Sequence, residues 1–516
     1  MKTLFERLLD YYLLTKEEYD KSLKESEKDL PNFSVFPQIN EVVDFFKECI
    51  AKNTKMIVYG DYDCDGIMST SIIVTLFKKV NYQIGYYIPS REDDGYGLTI
   101  DNINKFHALG YKVILCVDNG ISLLKEVEYA SSLGIDIIIF DHHTIQEKVP
   151  NAKFILHPSL SNIGEYNISA GAVSFYFSWA FLGYIDRYLL SLASISTISD
   201  MMVLKSYNKL LVKLGLKYVN EDKFPSIYNL IDKKYETISE DNFALEIAPK
   251  VNSIGRLING NTRFNIVKYF VNDDELNIKR LLWINETNKK RKSYINECSA
   301  NLDINYDDNS IITIIDHSEG LAGLVANSLL NKYNKPVVVF STTKNEDILK
   351  GSARSKNGFS IVKAFDELKD VLLTYGGHEC AGGLSIKKED FYKFYNEFDK
   401  LALNHKFIDD NKKTLLLTLQ ELNIEDYNLY RSFGPFGEGN NKPLFEIKNF
   451  PVASFIKSND DKHLFSQFNK SCKLVYFNYN HDILSYRFVN IKGELTRNTF
   501  NGFTYVQFLI RDFDAK

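Results

Sequence analysis

Acidic and histidine side chains recur in this sequence at the ends of short apolar runs, where they could hold divalent cations. The run MIVYG (56–60) leads into Asp61, Asp63 and Asp65 within GDYDCDG. KVILCV (112–117) leads into Asp118, and DIIIF (136–140) into Asp141, His142 and His143. Asp200 follows a helical stretch in STISDMM. Mixed carboxylate and imidazole ligands suit Mn²⁺ or Mg²⁺ better than a metal that prefers thiolate. Several carboxylates gathered in one place need a cation, because like charges in contact cannot all stay ionised. Two divalent ions about 3.5–4 Å apart can share a carboxylate and clamp an in-line displacement at phosphorus, and Asp118 is the natural bridging ligand. Each feature alone has an ordinary explanation. An Asp-Gly pair after a strand is commonly a turn, a DxD is frequent, and paired histidines are more often structural. Three such features at successive strand ends, with a later isolated Asp, favour a metal site whose test is convergence in space.

Convergence requires a particular arrangement of elements. Apolar strands at 56–60, 83–88, 112–117 and 136–140 alternate with helical patterns near 67–79, 99–109 and 122–133. Such alternation implies parallel βαβ units in a doubly wound α/β sheet, with continuously apolar strands covered on both faces. Sites in such sheets form outside the carboxyl ends of the strands, where all three acidic segments fall. Residues 165–220 and 226–300 read as mainly helical, with a long connecting helix at 277–302. A second α/β pattern starts at SIITII (310–315), followed by a helix near 322–333, a strand at 336–341, a glycine-rich stretch at 350–384 and a helix near 389–404. After 410, short alternating strands with turn signals suggest a small β-barrel.

Composition narrows the function classes. The chain has 516 residues, with 62 Lys and Arg against 67 Asp and Glu, a net charge of −5. That balance excludes a generally basic nucleic-acid coat, so an anionic partner must be met by a local patch. Hydrophobic content of 45% and aromatic content of 14% exclude a disordered chain. The six cysteines show no CxxC pair, which argues against a zinc ribbon or disulfide frame and points to a reducing, cytoplasmic setting. No apolar run is long enough to span a bilayer, so no membrane is expected. The start, MKTLFERLLDYYLL, reads as an amphipathic helix and not as a signal peptide.

GDYDCDG, VDNGIS, DHH and SDMM together resemble the four motifs of the DHH phosphoesterase superfamily. Further segments are similar to its RecJ branch of single-strand-specific DNA exonucleases. These are PSREDDGYGL (89–98), IAPKVNSIGRL (247–257), the segments GLAGLVANSLLNKYNKPVVV, GSARS and GGHECAGGLSI within 320–386, and GPFGEGNNKPLF (434–445). The resemblance implies an N-terminal helical segment (1–50), a DHH catalytic domain (51–220), a helical connector (221–304), a smaller α/β DHH-associated domain (305–408) and an OB-fold nucleic-acid-binding β-barrel (409–516). It implies that Asp63, with Asp61 beside it, holds one Mn²⁺ or Mg²⁺ ion. Asp65, His142 and Asp200 would hold a second, with Asp118 bridging the two and His143 facing the scissile phosphate. Asp118 and His143 are thus the expected catalytic residues.

The same resemblance assigns substrate contacts. GSARSKNG (351–358) offers backbone N–H groups, hydroxyls and a guanidinium that can bind phosphate, although an exposed Ser/Gly loop has the same composition. By resemblance, Ser352 and Arg354 grip a 5′-terminal phosphate, Arg91 and Tyr96 assist, and Asn252 and Arg256 touch the strand. His378 either faces substrate or is an ordinary loop histidine. The basic run at 289–292 is a solvated helix face or a DNA-tracking surface. The terminal aromatics and bases (Phe455, Phe465, Tyr476, Tyr486, Arg487, Lys492, Arg497, Tyr505) divide between core and strand-stacking surface in a way that alternation alone does not fix. The implied activity is 5′→3′ hydrolysis of single-stranded DNA to mononucleotides in repair and recombination. A helicase or single-strand-binding protein is a candidate partner. Two rivals are a DHH phosphodiesterase for short oligonucleotides or nucleotide phosphates and a non-catalytic replication scaffold.

Overall fold

The computed structural model describes residues 2–91, 94–95, 97–232, 237–272, 274–300, 302, 308–343, 345–403, 405–407, 413–469, 472–500 and 503–515. The first sheet contains β1 (Met56–Tyr59), β2 (Gly85–Tyr87), β3 (Val113–Val117), β4 (Asp136–Phe140) and β5 (Phe154–Leu156). Its order is β2-β1-β3-β4-β5, with every pair parallel. The chain runs outward from β1 to β2, then returns to place β3 on the other side of β1. That reversal makes a topological switch point, and the crevice outside the carboxyl ends of β1 and β3 is where such sheets bind ligands. Residues of β1 and β3 are buried throughout, as unbroken apolar runs require. Three helices, Cys64–Lys79, Ala170–Leu182 and Arg187–Ser199, pack on one another beside the sheet. Within them Ser71, Ser178 and Thr197 donate to carbonyls of the preceding turn of their own helix. The three-residue edge strand β5 has too short an apolar run to stand out in the sequence.

The second sheet holds β6 (Ile311–Ile315), β7 (Val337–Thr342), β8 (Ile348–Arg354), β9 (Thr374–Gly377) and β10 (Ala381–Lys387), ordered β6-β7-β8-β10-β9. Only β6 and β7 are parallel. Leu321, Val325 and Leu329 of the helix Glu319–Tyr333 cover one face, and Phe365, Phe394 and Phe398 of later helices lie in the core on the other. The glycine-rich stretch places Gly351, Gly376, Gly377, Gly382 and Gly383 in strands, with the helix Ile361–Glu367 and turns between them. A Cβ on Gly351 would stand 2.8 Å from both Leu384 and the Phe340 ring, so glycine admits those side chains.

The third sheet runs β11-β12-β16-β17-β15-β14-β13. These strands are β11 (Thr414–Leu416), β12 (Leu444–Pro451), β13 (Ile456–Lys457), β14 (His463–Asn469), β15 (Cys472–Phe477), β16 (Phe488–Phe500) and β17 (Phe503–Ala515). Its core is shared with the start of the chain. The helices Leu4–Tyr12 and Lys16–Lys24, each opened by a capping box, send Leu4, Leu8 and Tyr19 among Tyr430, Phe433 and Phe445. The long helix Asn277–Ala300 occupies the stretch read as a connector. Compact units comprise Met1–Tyr87, Gly97–Ala248 and Lys412–Lys516 on the one hand, and Ile88–Tyr96 and Pro249–Asn411 on the other. All six cysteines are free, and five are buried. Among the described residues, no helix is long and apolar enough to cross a membrane.

Candidate metal centre

Three strand ends and one helix end deliver the acidic cluster. Asp63 caps the helix Cys64–Lys79 by accepting the Gly66 N–H (3.1 Å), which fixes the turn after β1. Gly66 is required there, because a Cβ would come within 2.5 Å of the Asp61 backbone. Asp65, in the first turn of that helix, points into the N-terminus of the helix Ala170–Leu182. It accepts the Ala170 and Gly171 N–H groups at 2.9 and 2.8 Å and the Ser196 hydroxyl at 2.5 Å. Oriented backbone donors of this kind stabilise the ionised carboxylate.

Asp118 closes β3 in a left-handed backbone conformation, φ 62°, with its N–H on the Phe140 carbonyl (2.9 Å). A non-glycine residue held there stores strain that its surroundings must sustain, as is common at functional sites. Asn119 sustains it by donating to the carbonyls of Val117 and Tyr59, which ties the ends of β3 and β1 together. After β4, Asp141 accepts the N–H groups of Ile121, His142 and His143 and the Nδ1 of His143 (2.7 Å). Asp141 therefore orients the His143 ring. Asp200 caps the end of the helix Arg187–Ser199.

The side chains of Asp61, Asp63, Asp65, Asp118, His142, His143 and Asp200 converge in three overlapping groups. Potential ligand atoms lie within 4.8 Å of one another in the set Asp61, Asp63, Asp118, in the set Asp65, His142, Asp200, and in the set Asp118, His142, His143. His142 Nε2 is the hub, 3.6 Å from Asp65, 3.3 Å from Asp118 and 3.5 Å from Asp200. The electrostatics match a site built for cations. Burial, then the charges of Asp65, Asp63 and Asp61, hold the Asp118 carboxyl well above the usual range. Burial and Asp65 raise Asp63, and burial with Asp65 and Asp63 pushes Asp200 up to about 8. Burial lowers His142, which favours the neutral ring a metal needs. Burial also opposes charge on His143, but its hydrogen bond to Asp141 prevails and lifts it to about 9; Asp141, despite burial, falls to about 2. The donor set is oxygen with imidazole. The nearby Cys64 thiol is held protonated by burial, so the residues fit a hard divalent cation and not a thiolate-bound one.

The expected substrate residues lie in the second unit, apart from Tyr96, which falls outside the described residues. Arg91 sits in the segment Ile88–Tyr96, and Asn252 is half-buried on the helix Ala248–Leu257. Arg256 donates to the Gly320 carbonyl (2.7 Å), so part of its guanidinium holds the helix Glu319–Tyr333. Ser352 and Arg354 are on β8, and Arg354 Nη1 reaches the Ser352 hydroxyl at 2.9 Å. Because β8 is paired on both sides, its backbone N–H groups serve the ladders. Within β8 the expected anion contacts therefore fall to side chains, while residues 355–358 lie beyond the strand. Desolvation lowers the Arg354 guanidinium, and Gly323 leaves room beside it, since a Cβ there would meet Nη2 at 2.9 Å. His378 is exposed in the β9–β10 turn. The lysines of the 289–292 run are exposed, and Lys290 pairs with Glu286. In the third sheet Tyr476 is core, whereas Phe465 and Tyr486 are exposed, together with Phe477 and Phe488. Lys473 lies over the Tyr505 ring at 4.5 Å.

Residues 55–204 match the family model described as DHH family, N-terminal domain; residues 308–404 match the DHHA1 domain and residues 415–512 the RecJ OB domain. Fold and site thus define a protein of DHH-family architecture with a DHHA1 domain and an OB domain. Within that architecture the chain is a homologue of RecJ. It is 28% identical over 497 residues to the single-stranded-DNA-specific exonuclease RecJ of Bacillus subtilis (strain 168), covering 92% of this chain and 63% of that protein. It is 27% identical to the RecJ of Escherichia coli (strain K12), covering 83% and 80%. The crystal structure of RecJ from Thermus thermophilus in complex with Mn²⁺ shares the fold, with a TM-score of 0.82, 22% identity, and coverage of 99% of this chain and 78% of that one. The chain spans less than two thirds of the Bacillus subtilis relative's length.

Several supporting residues carry no sequence signal. Asn167, Ser169 and Ser196 are single polar residues in ordinary helical or loop contexts, whereas Asn119 lies within the VDNGIS segment without being singled out by it. Only the pattern around them hints that their polar atoms have buried work to do.

Proposed function

We propose that the chain is a divalent-metal-dependent exonuclease that hydrolyses single-stranded DNA from a 5′ phosphate, 5′→3′, to mononucleotides. The observation that carries this reading is the overlap of three Asp/His groups through Asp118 and His142 at the switch point of the sheet. Asp61 and Asp63 would hold one Mn²⁺ or Mg²⁺, and Asp65, His142 and Asp200 another, with Asp118 shared. When bound, such ions make water easier to deprotonate and neutralise charge growing on a phosphodiester. His143, kept cationic by Asp141 and nearly half exposed, offers a positive N–H to a phosphate oxygen. The Ala170 and Gly171 N–H groups hold both Asp65 carboxylate oxygens in place, so they do not swing away. Ser352 and Arg354 would bind the terminal phosphate, and the exposed aromatics of the third sheet would stack on bases. DNA repair and recombination is the setting proposed for this activity.

The test is digestion of end-labelled single-stranded and duplex DNA with Mn²⁺ or Mg²⁺, read for polarity. Label should appear first as a mononucleotide from 5′-phosphorylated single strands. Asp118→Ala should abolish release while leaving most strand binding. Equal cleavage of duplex would overturn the single-strand specificity, and a strong preference for a dinucleotide over the long strand would displace the assignment in favour of a small-substrate phosphodiesterase. Absence of any metal-dependent release would favour a scaffold.

A further inference from the structure

The turn that leads into β12, residues 437–440, presses on the backbone just after Asp200. Gly437 and Asn440 exchange both backbone hydrogen bonds, at 3.2 and 3.1 Å. The buried Asn440 amide stiffens the approach by donating to the carbonyls of Phe433 (3.2 Å) and Pro435 (2.7 Å). At the tip, the Glu438 carbonyl accepts the Leu204 N–H at 2.7 Å. A Cβ on Gly437 would stand 2.8 Å from Leu204 Cδ1. One on Gly439, whose φ is +72°, would stand 2.7 Å from Val203 Cγ1. The approach is therefore one that glycine allows and larger residues do not.

Val203 and Leu204 follow Asp200 by three and four residues. The link continues beyond them. The Val203 carbonyl accepts from the Asn208 amide (3.1 Å), which also donates to the Asn167 carbonyl (2.8 Å). Asn167 in turn donates to the His142 carbonyl at 2.9 Å. Asn208 is fully buried. One continuous set of contacts thus joins the turn to two of the three residues grouped as Asp65, His142 and Asp200.

We propose that the turn at 437–440 and Asn208 are positioning elements for a cation at Asp65, His142 and Asp200, which makes the third domain part of the metal site's scaffold. The inference rests on reading that group as a metal site. Partners one layer behind metal ligands typically matter about 10–100-fold in affinity, and the same range is expected here.

The experiment measures Mn²⁺ bound by the full chain, by electron paramagnetic resonance of the free ion, with no DNA and no turnover. Gly437→Ala should weaken one Mn²⁺ position by about 10–100-fold, and Leu204→Ala in the same chain should recover much of the loss by removing the collision. Asn208→Ala adds no atoms and should weaken the same position. Strand binding in EDTA, followed by fluorescence anisotropy, should be unchanged in all three. Parent-like Mn²⁺ affinity in Asn208→Ala overturns the proposal, whether or not Gly437→Ala folds. So does a loss in Gly437→Ala that Leu204→Ala does not relieve. A parent chain that binds no Mn²⁺ sinks the metal reading itself, a result seen before any variant is made.

Discussion

Asp118 concentrates the logic of the site in one residue. Its left-handed backbone, its burial and the charges of four other carboxyls around it all cost free energy in a metal-free chain. Asp63, Asp118 and Asp200 share the same direction of shift, with Asp200 reaching about 8. A carboxyl whose folded pKa is raised is protonated in the fold at pH values where the unfolded chain has lost the proton. The stability it contributes is complete below its unfolded pKa, near 4, and is lost as pH rises through the folded value. The EDTA-treated chain should therefore melt at progressively lower temperature between pH 5 and 8.5. Saturating Mn²⁺ should remove most of that slope, and its binding should release protons, measurable by calorimetry in buffers of different ionisation heat. A metal-free melting temperature that rises across this window would contradict the clustered-carboxylate account. The clustered acidic and histidine residues were legible because all but Asp200, which ends a helix, follow an apolar run at a strand end. The amides and hydroxyls that hold them were not, since a single Asn or Ser has no period and no spacing to betray it.

At the scale of elements, what could be read depended on how each strand is covered. β1, β3 and β4 are buried on both faces, so their sequences are unbroken apolar runs. β8, β9 and β10 are paired through glycines, whose lack of a side chain erases the alternation that marks a strand. Helix packing behind the metal site depends on a similar economy of side chains. A Cβ on Gly171 would come 2.3 Å from the Ser196 hydroxyl and 3.3 Å from Asp65 Oδ1, where the helices Ala170–Leu182 and Arg187–Ser199 converge. Gly171→Ala must push those helices apart and disturb the donors to Asp65. Overpacking of this kind costs about 1–3 kcal/mol, to be read from urea unfolding of the full chain. Ser196→Ala should lose the hydrogen bond to Asp65 and yet tolerate alanine at 171 no better, because the Ser196 Cβ, 2.5 Å away, remains. Relief of the Gly171→Ala loss by Ser196→Gly, and not by Ser196→Ala, is the expected pattern. Relief by both would mean that the hydroxyl alone sets the spacing.

On the whole-molecule scale, sequence distance conceals a shared core. The N-terminal helices read correctly as amphipathic, but nothing in their pattern indicates that their apolar face joins residues more than 400 positions away. Leu8 is fully buried in that cluster, and Arg7 binds Glu421 through one nitrogen to both carboxylate oxygens at 2.7 Å. The third domain is fastened in turn to the helical segment at Glu240 and Asp241, which follows the DHH domain within the same compact unit. Arg431 makes a bidentate pair with the buried Glu240, 2.8 Å on each arm, and Lys442 pairs with Asp241. Removing one partner of a buried pair strands the other charge and costs about 3–5 kcal/mol. The chain start, the DHH domain and the OB domain should therefore unfold as one cooperative unit. Leu8→Ala, expected to cost about 2–5 kcal/mol, lies in none of the Asp/His groups. It should nonetheless lower the temperature of the transition that Mn²⁺ raises. Scanning calorimetry with and without Mn²⁺ separates the alternatives. If Leu8→Ala shifts only a transition that is indifferent to Mn²⁺, the OB core and the metal-bearing sheet melt independently, and the coupling argued from these contacts does not hold.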